Sequence, residues 1–124
     1  MILWLLIHLG CGSKETDTAI NGCDRSPPLT YSNFGRGYLD KHCVGCHHSL
    51  LPQDMREGAP LGVDLDTLEF SLQWADRIEA RATGDVPTMP PGGGPTEDER
   101  AMLEEWLRCD LLPDAAEYAE IHNQ

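Results

Sequence analysis

The amino-acid sequence predicts an all-α domain, and three observations support that prediction. No stretch of the 124 residues alternates apolar and polar side chains at the period of two that a strand requires. Three segments instead repeat apolar side chains at helical spacing. Each of these segments begins beside a Ser, Thr or Asp, the residue types that cap helix N-termini. The remainder of the chain is therefore expected to be loop.

The first helix is expected over residues 31–43, with Thr30 or Ser32 as its N-cap. The apolar side chains that share one face of it are Phe34, Tyr38 and Leu39. Gly35 and Gly37 lower the helix propensity of this segment. We therefore expect a packing reason for their presence.

The second and third helices are expected over residues 67–82 and 96–108. In each case a capping residue is followed three positions later by Glu, which is the pattern of a capping box. The two pairs are Asp66 with Glu69 and Thr96 with Glu99. The apolar stripes are Leu68, Leu72, Ala75, Ile78 and Ala82 in the second helix and Leu103, Trp106 and Leu107 in the third.

The two ends of the chain differ in composition from this helical part, which is expected over residues 29–112. Residues 1–11 are almost wholly apolar, too short a run to span a bilayer, and indicate a signal peptide. Cys11 follows a small residue, as in a bacterial lipoprotein signal, and is a candidate for lipidation and membrane attachment. Residues 12–28 are polar and end in two prolines, as a linker does. Residues 113–124 are expected to form an acidic tail or a weakly held short helix.

The chain is strongly acidic. Twenty-one Asp and Glu against nine Lys and Arg give a formal net charge of −12 at pH 7. This charge argues against nucleic acid or an anionic membrane as a binding surface. It favours a protein partner with a basic docking surface. A domain this small also often needs a disulfide or a cofactor to stabilise its core.

The segment from Cys43 to His47 reads C-x-x-C-H, which is the attachment signal for a c-type haem. Two thiols at this spacing, Cys43 and Cys46, can each form a thioether to one edge of a porphyrin. The imidazole of His47 then follows directly and can reach the iron from one side. The motif therefore predicts one covalent haem c with His47 as its proximal ligand.

Two other classes of protein use the same residue types. A zinc site would need a second pair of ligands, drawn here from Cys109, His122, His42 or His48. A thiol–disulfide oxidoreductase would carry its C-x-x-C between a strand and a helix, and the sequence predicts no strand. Both alternatives remain weaker hypotheses than the haem site.

Met89 is the candidate for the second axial ligand of the iron. It lies between Pro87 and Pro90 in a proline-rich and glycine-rich segment, where fixed φ angles restrict the backbone. A thioether is a soft ligand that favours reduced iron and raises the reduction potential. Met55 and His48 are weaker candidates: charged residues surround Met55, and His48 is adjacent to His47.

Residues 29–112 resemble the class I monohaem cytochromes c. The resemblance rests on the haem-binding motif, on Gly35 eight residues before the first motif cysteine, on the Met89 loop, and on Leu103-x-x-Trp106 in the last helix. Leu39 stands where the family usually has an aromatic residue. The resemblance implies a fold of three main helices with long loops around one haem. It also implies that Gly35 meets the last helix near Trp106.

A haem would bring two negatively charged propionates to an already acidic protein. Arg77 and Arg81 are four residues apart on one helix face, and one or both are expected to bind a propionate; the alternative is a solvated face that pairs with Asp76, Glu79 or Asp85. The indole N–H of Trp74 is a further candidate donor, with a core role as the alternative. Cys23 and Cys109 flank the first and last helices, which cross in the family, and are expected to form a disulfide in an exported protein.

The function that this resemblance implies is single-electron transfer rather than catalysis. The site of action would be the bacterial periplasm or a membrane surface, with a redox protein as partner. The main alternative is a haem module through which electrons enter a larger redox enzyme.

Overall fold

The computed structural model describes residues 22–123, and within that range the chain is helical with no strand. The predicted all-α class is confirmed. Residues 1–11, Cys11 and residues 12–21 of the expected linker lie outside the described residues. No helix within residues 22–123 is both long enough and apolar enough to cross a bilayer.

The first helix begins at a capping box between Thr30 and Asn33. The Thr30 hydroxyl accepts from the Asn33 backbone N–H at 3.3 Å, and the Asn33 side chain accepts from the Thr30 N–H at 2.8 Å. The chain then forms a π-helical turn, Tyr31–Gly35, and continues as helix α1, Arg36–His42. Thr30 is therefore the N-cap, and the helix ends one residue before the predicted boundary.

The second predicted helix is divided at Trp74 into α2, Leu68–Gln73, and α3, Ala75–Ala82. Its N-cap is Thr67, whose hydroxyl accepts from the Phe70 N–H, so the expected capping role of Asp66 is wrong. The Asp66 carboxylate instead accepts from the backbone N–H and hydroxyl of Ser49, at 2.9 and 2.8 Å. It thereby ties the preceding loop to this end of the helix.

The last helical segment is longer than the sequence predicts. Helix α4, Glu97–Trp106, starts with the predicted Thr96–Glu99 capping box. A π-helical turn, Leu107–Leu111, leads from it directly into α5, Leu112–His122. The turn precedes Pro113, which has no N–H for the carbonyl four residues earlier.

The expected acidic tail is therefore mostly helix α5, which packs against α2 and α3. The Tyr118 hydroxyl donates to the Glu69 carboxylate at 3.0 Å. Leu112 and Ala115 pack against the core. Asp and Glu residues interrupt the helical spacing of apolar side chains in this segment. The packing face of α5 could therefore not be recognised from the sequence.

The core lies where the first helix crosses α4. Trp106 is fully buried there, and its indole N–H donates to the Asp110 carboxylate at 2.8 Å. Gly35 packs against the Trp106 ring so closely that a Cβ on Gly35 would overlap it. The expected meeting of Gly35 and Trp106 is confirmed. The other fully buried apolar side chains of the described residues are Leu39, Ala75, Leu103, Leu107 and Leu111.

The segment before the first helix is fastened to the last one. Cys23 and Cys109 form a disulfide with their Cα atoms 5.6 Å apart. Arg25 forms a bidentate salt bridge with Glu105, in which Nε and Nη2 donate to the two carboxylate oxygens at 2.6 and 2.8 Å. Residues 23–25, which the sequence assigned to a linker, are thus held against the helical domain.

Candidate functional site

One cavity of about 420 Å³ collects every residue that the sequence singled out for cofactor binding. Those residues are Cys43, Cys46, His47, Trp74, Arg77, Arg81 and Met89. They come from three separate parts of the chain: the end of α1, helix α3 with its preceding residue, and the loop before α4. The volume lies in the range typical of small-molecule and cofactor sites.

The turn after α1 presents the C-x-x-C-H motif to this cavity. The backbone N–H groups of Cys46 and His47 both donate to the Cys43 carbonyl, at 3.1 and 3.0 Å. This tight turn brings the two thiols and the imidazole to the same cavity wall. Neither cysteine is part of a disulfide, so both thiols are available for covalent attachment.

The Cys43 thiol is held in its protonated form. Burial, with a smaller contribution from the neighbouring Cys46, raises the pKa of Cys43 to about 12. A redox-active thiol in a thiol–disulfide oxidoreductase needs a lowered pKa, because the thiolate is the nucleophile. The environment of Cys43 therefore disfavours that class of protein.

The imidazole of His47 has a fixed orientation. Its Nδ1 lies 2.8 Å from the Val63 carbonyl oxygen, which can only accept, so Nδ1 carries the hydrogen. The lone pair is then on Nε2, the nitrogen left to bind a metal. The Leu65 N–H donates to the His47 carbonyl at 2.8 Å and holds the backbone of the same residue. A metal-bound histidine commonly donates its other ring N–H to a carbonyl or carboxylate in this way.

Arg56 organises the loop over residues 48–64 and was missed by the sequence analysis. Its side chain is fully buried, although it carries a charge. The guanidinium donates to four backbone carbonyls and forms an ion pair with Asp64 at 2.8 Å. From the sequence, an arginine in a loop is expected to be exposed to solvent. Its role becomes visible only in the structure, where the loop folds around the side chain.

Met89 is held by its backbone on both sides. Its N–H donates to the Arg81 carbonyl at 2.9 Å, and the Thr88 N–H donates to the same oxygen at 2.8 Å. The Arg100 guanidinium donates to the Ala82 carbonyl at 2.9 Å and reaches the Met89 carbonyl at 3.4 Å. The loop that carries Met89 is thereby tied to the end of α3. Met55 is exposed and is not among the residues that line the cavity.

Basic side chains dominate the charged part of the cavity wall, although the protein is acidic. Three arginines and one glutamate line it, namely Arg56, Arg77, Arg81 and Glu57. Within residues 22–123, the side chains of Arg77 and Arg81 are exposed and make no hydrogen bond or ion pair. Neither arginine is engaged by the acidic neighbours on its own helix, so both are free to bind an anionic group.

Trp74 lines the cavity, but its indole N–H donates to the Gly62 carbonyl at 3.2 Å. This contact ties α3 to the loop over residues 48–64. The indole N–H thus has a protein partner in this structure, and a hydrogen bond from Trp74 to a propionate stays a prediction. The Trp74 side chain also forms part of the cavity wall.

The alternative zinc site has no counterpart in the described part of the chain. Residues 22–123 bring no three His, Cys, Asp or Glu side chains together as metal ligands. Cys109 is engaged in the disulfide, and His122 lies on α5 with its ring stacked on Tyr118.

No family model, no curated protein and no solved structure matches this chain. The geometry of the cavity and the sequence motif are therefore the basis for a functional proposal.

Proposed function

We propose that this protein is a single-electron carrier of the class I cytochrome c type, with one haem c held in the cavity. Cys43 and Cys46 would attach the haem, and His47 and Met89 would be its axial ligands. The observation that carries the proposal is that these four residues, from two distant segments, line the same cavity.

The chemistry of the cavity wall fits a porphyrin with two carboxylates. Much of the wall is apolar and would cover the ring; these residues include Val63, Leu65, Ile78, Ala82, Pro90 and Pro91. Arg77 and Arg81 supply unpaired positive charge at the same wall and would bind the propionates. An apolar pocket with a few charged groups is how cofactor sites combine affinity with orientation.

The residues of the chain have distinct tasks in this proposal. His47 offers Nε2 because Nδ1–H is engaged by Val63. Met89 offers a neutral, soft sulfur from a loop that is tied down on both sides. A bound haem supplies reversible one-electron chemistry. If His47 and Met89 both held the iron, no open position would remain for a substrate, which is why we propose a carrier rather than an enzyme.

The site of action follows from the sequence rather than from the cavity. An apolar leader that ends at Cys11 supports export to the bacterial periplasm, with lipid attachment as one form of anchoring. The net charge of −12 supports a partner with a basic surface. Electron-transfer rates with such a partner should fall steeply as ionic strength rises.

The proposal is tested by expression together with the haem-maturation machinery. We expect a covalently bound haem that survives denaturation and gives sharp absorption bands on reduction. The Cys43→Ser/Cys46→Ser variant is the matched control and should lose the covalent attachment. A wild-type protein that leaves the maturation system colourless would overturn the proposal.

Carbon monoxide distinguishes a carrier from a haem module with an open coordination position. The reduced wild-type protein should not bind carbon monoxide at neutral pH, because Met89 occupies the sixth position. Ready binding would instead support the alternative, a module that serves a larger redox enzyme.

The roles of Arg77 and Arg81 are tested by the reduction potential. Loss of two positive charges beside the haem should favour oxidised iron, so the Arg77→Gln/Arg81→Gln variant should have a lower potential than the wild type. Arg36→Gln is the matched control, since Arg36 lies on α1 near Asp40 and does not line the cavity. Equal potentials for all three proteins would exclude the propionate role.

A further inference from the structure

We propose that Arg56 is a positioning residue that sets the donor strength of the His47 imidazole through one shared backbone carbonyl. The Val63 carbonyl oxygen lies 2.8 Å from His47 Nδ1 and 2.9 Å from Arg56 Nη2. This inference rests on the proposed function, because it concerns His47 as an iron ligand.

The position of the Arg56 guanidinium is fixed by its surroundings. The side chain is fully buried, and a buried charge is tolerated only when it is paired and hydrogen-bonded. It donates to the carbonyls of His48, Ala59, Pro60 and Val63 at 2.7–3.3 Å, and to Asp64 at 2.8 Å. Because the planar guanidinium donates to five acceptors, it cannot move away from Val63 without breaking several other hydrogen bonds.

The shared oxygen gives Arg56 an influence on His47. A carbonyl has two lone pairs, and a charged donor on one of them withdraws electron density from the other. The Val63 oxygen is therefore a weaker acceptor for the imidazole N–H than an ordinary carbonyl would be. An imidazole whose Nδ1–H is held less strongly is a weaker donor at Nε2. A weaker ligand favours reduced iron, so Arg56 should raise the reduction potential.

The loop has ties that do not depend on this bond. The Leu65 N–H donates to the His47 carbonyl at 2.8 Å, and Ser49 is bound to Asp66 through both its N–H and its hydroxyl. The bond from Arg56 to Val63 is thus added to a segment that is already anchored near His47. This makes it possible to alter the polarisation of the carbonyl while the ligand stays in place.

The partner of Arg56 offers a way to separate the shared hydrogen bond from long-range electrostatics. Asp64 Oδ1 lies 2.8 Å from Arg56 Nη2, so the two charges largely cancel at a distance. Removing both of them in an Arg56→Met/Asp64→Asn variant leaves the net charge near the iron almost unchanged. That variant removes the pull of the guanidinium on the Val63 oxygen together with the ties from Arg56 to His48, Ala59 and Pro60. Exchange of the His47 Nδ1–H distinguishes the two losses.

The experiment compares three haem-loaded proteins: wild type, Asp64→Asn, and Arg56→Met/Asp64→Asn. We expect the double variant to have the lowest potential, with the oxidised-to-reduced ratio at a fixed applied potential raised by about tenfold. Asp64→Asn leaves the Arg56 charge uncompensated and should have the highest potential. Exchange of the His47 Nδ1–H with solvent, followed by NMR in the reduced protein, should be slowest in the double variant because its bond to Val63 is strongest.

Each other outcome overturns the inference. An unchanged potential in a double variant with intact His/Met ligation shows that Arg56 does not act on His47. A lowered potential with faster Nδ1–H exchange shows a loosened loop, which is a purely structural role. If the double variant does not fold, exchange of the His47 Nδ1–H in Asp64→Asn decides, since exchange no faster than in the wild type contradicts the mechanism. Failure of the wild type to bind haem would be seen in its spectrum beforehand and would overturn the proposed function itself.

Discussion

The contact between Gly35 and Trp106 predicts that the same substitution at two glycines of one helical segment changes the free energy of unfolding in opposite directions. A Cβ built on Gly35 would overlap three atoms of the Trp106 six-membered ring. A Cβ built on Gly37, two residues later, meets nothing within 4 Å. Gly35→Ala and Gly37→Ala are therefore a matched pair in which only the first creates a steric conflict.

The expected magnitudes follow from two effects. Replacing Gly by Ala inside a helix stabilises it by about 0.5–1 kcal/mol, and this gain applies at both positions. Overpacking a filled core costs about 1–3 kcal/mol. The cost at Gly35 should lie near the upper end, because Trp106 is fully buried and its indole N–H is fixed by Asp110. We expect Gly35→Ala to destabilise by about 2 kcal/mol and Gly37→Ala to stabilise by about 1 kcal/mol.

The measurement is urea unfolding of the disulfide-intact protein, followed by far-ultraviolet circular dichroism. A difference of about 3 kcal/mol between the two variants corresponds to more than a hundredfold in the unfolding equilibrium constant, well outside the error of extrapolation. A Trp106→Phe background removes the overlapping ring atoms, so Gly35→Ala should cost much less there. Equal stability of the Gly35→Ala and Gly37→Ala proteins would refute the reasoning, as would an absence of coupling to Trp106.

Three further predictions concern the proposed ligand Met89, the disulfide and the partly buried carboxylate of Glu99. Met89→Ala should allow the reduced protein to bind carbon monoxide at neutral pH, which visible spectroscopy detects; a spectrum unchanged by carbon monoxide would mean that another group fills the position. Cys23→Ser/Cys109→Ser opens a loop of 86 residues and should lower the free energy of unfolding by about 4 kcal/mol, with an unchanged urea midpoint as the contrary result. The hydrogen bond from Lys41 lowers the pKa of Glu99 from 4.5 to about 2, so its stabilising contribution is complete above pH 4.5 and is lost as the pH falls towards 2. Glu99→Gln should therefore flatten the acid limb of a stability–pH curve measured by thermal unfolding, and an identical acid limb would contradict this assignment.

Local sequence signals predicted the elements whose cause is local. The Thr96–Glu99 capping box and the Thr30 cap depend on groups within three residues of each other. The capping box was found where the sequence put it, and Thr30 is one of the two N-caps, Thr30 or Ser32, that the sequence offered. The division of the second helix at Trp74 could not be predicted in this way. The Trp74 N–H bonds to Gly62, which is twelve residues away and lies in a loop without a periodic pattern.

Helix α5 illustrates a different limit. Its residues up to His122 carry several acids and few large apolar side chains, so composition alone suggested a tail or a weakly held short helix. The helix forms because Leu112 and Ala115 reach the core and Tyr118 finds Glu69 on α2. Tertiary packing, rather than intrinsic propensity, supplies most of the stability of such a short helix.

The sequence alone determined which chemistry we propose for this protein. The spacing of Cys43, Cys46 and His47 is a property of five consecutive residues and needs no fold to be recognised. The sequence proposed Met89 as a second ligand, but only the tertiary structure places this residue, forty-two positions after His47, at the same cavity. Only the tertiary structure shows that the Val63 carbonyl is shared between His47 and a buried Arg56. Such partners come together only when the loops close around the core. A hydrogen bond between distant residues produces no periodic pattern in the sequence, so it cannot be predicted from that sequence alone.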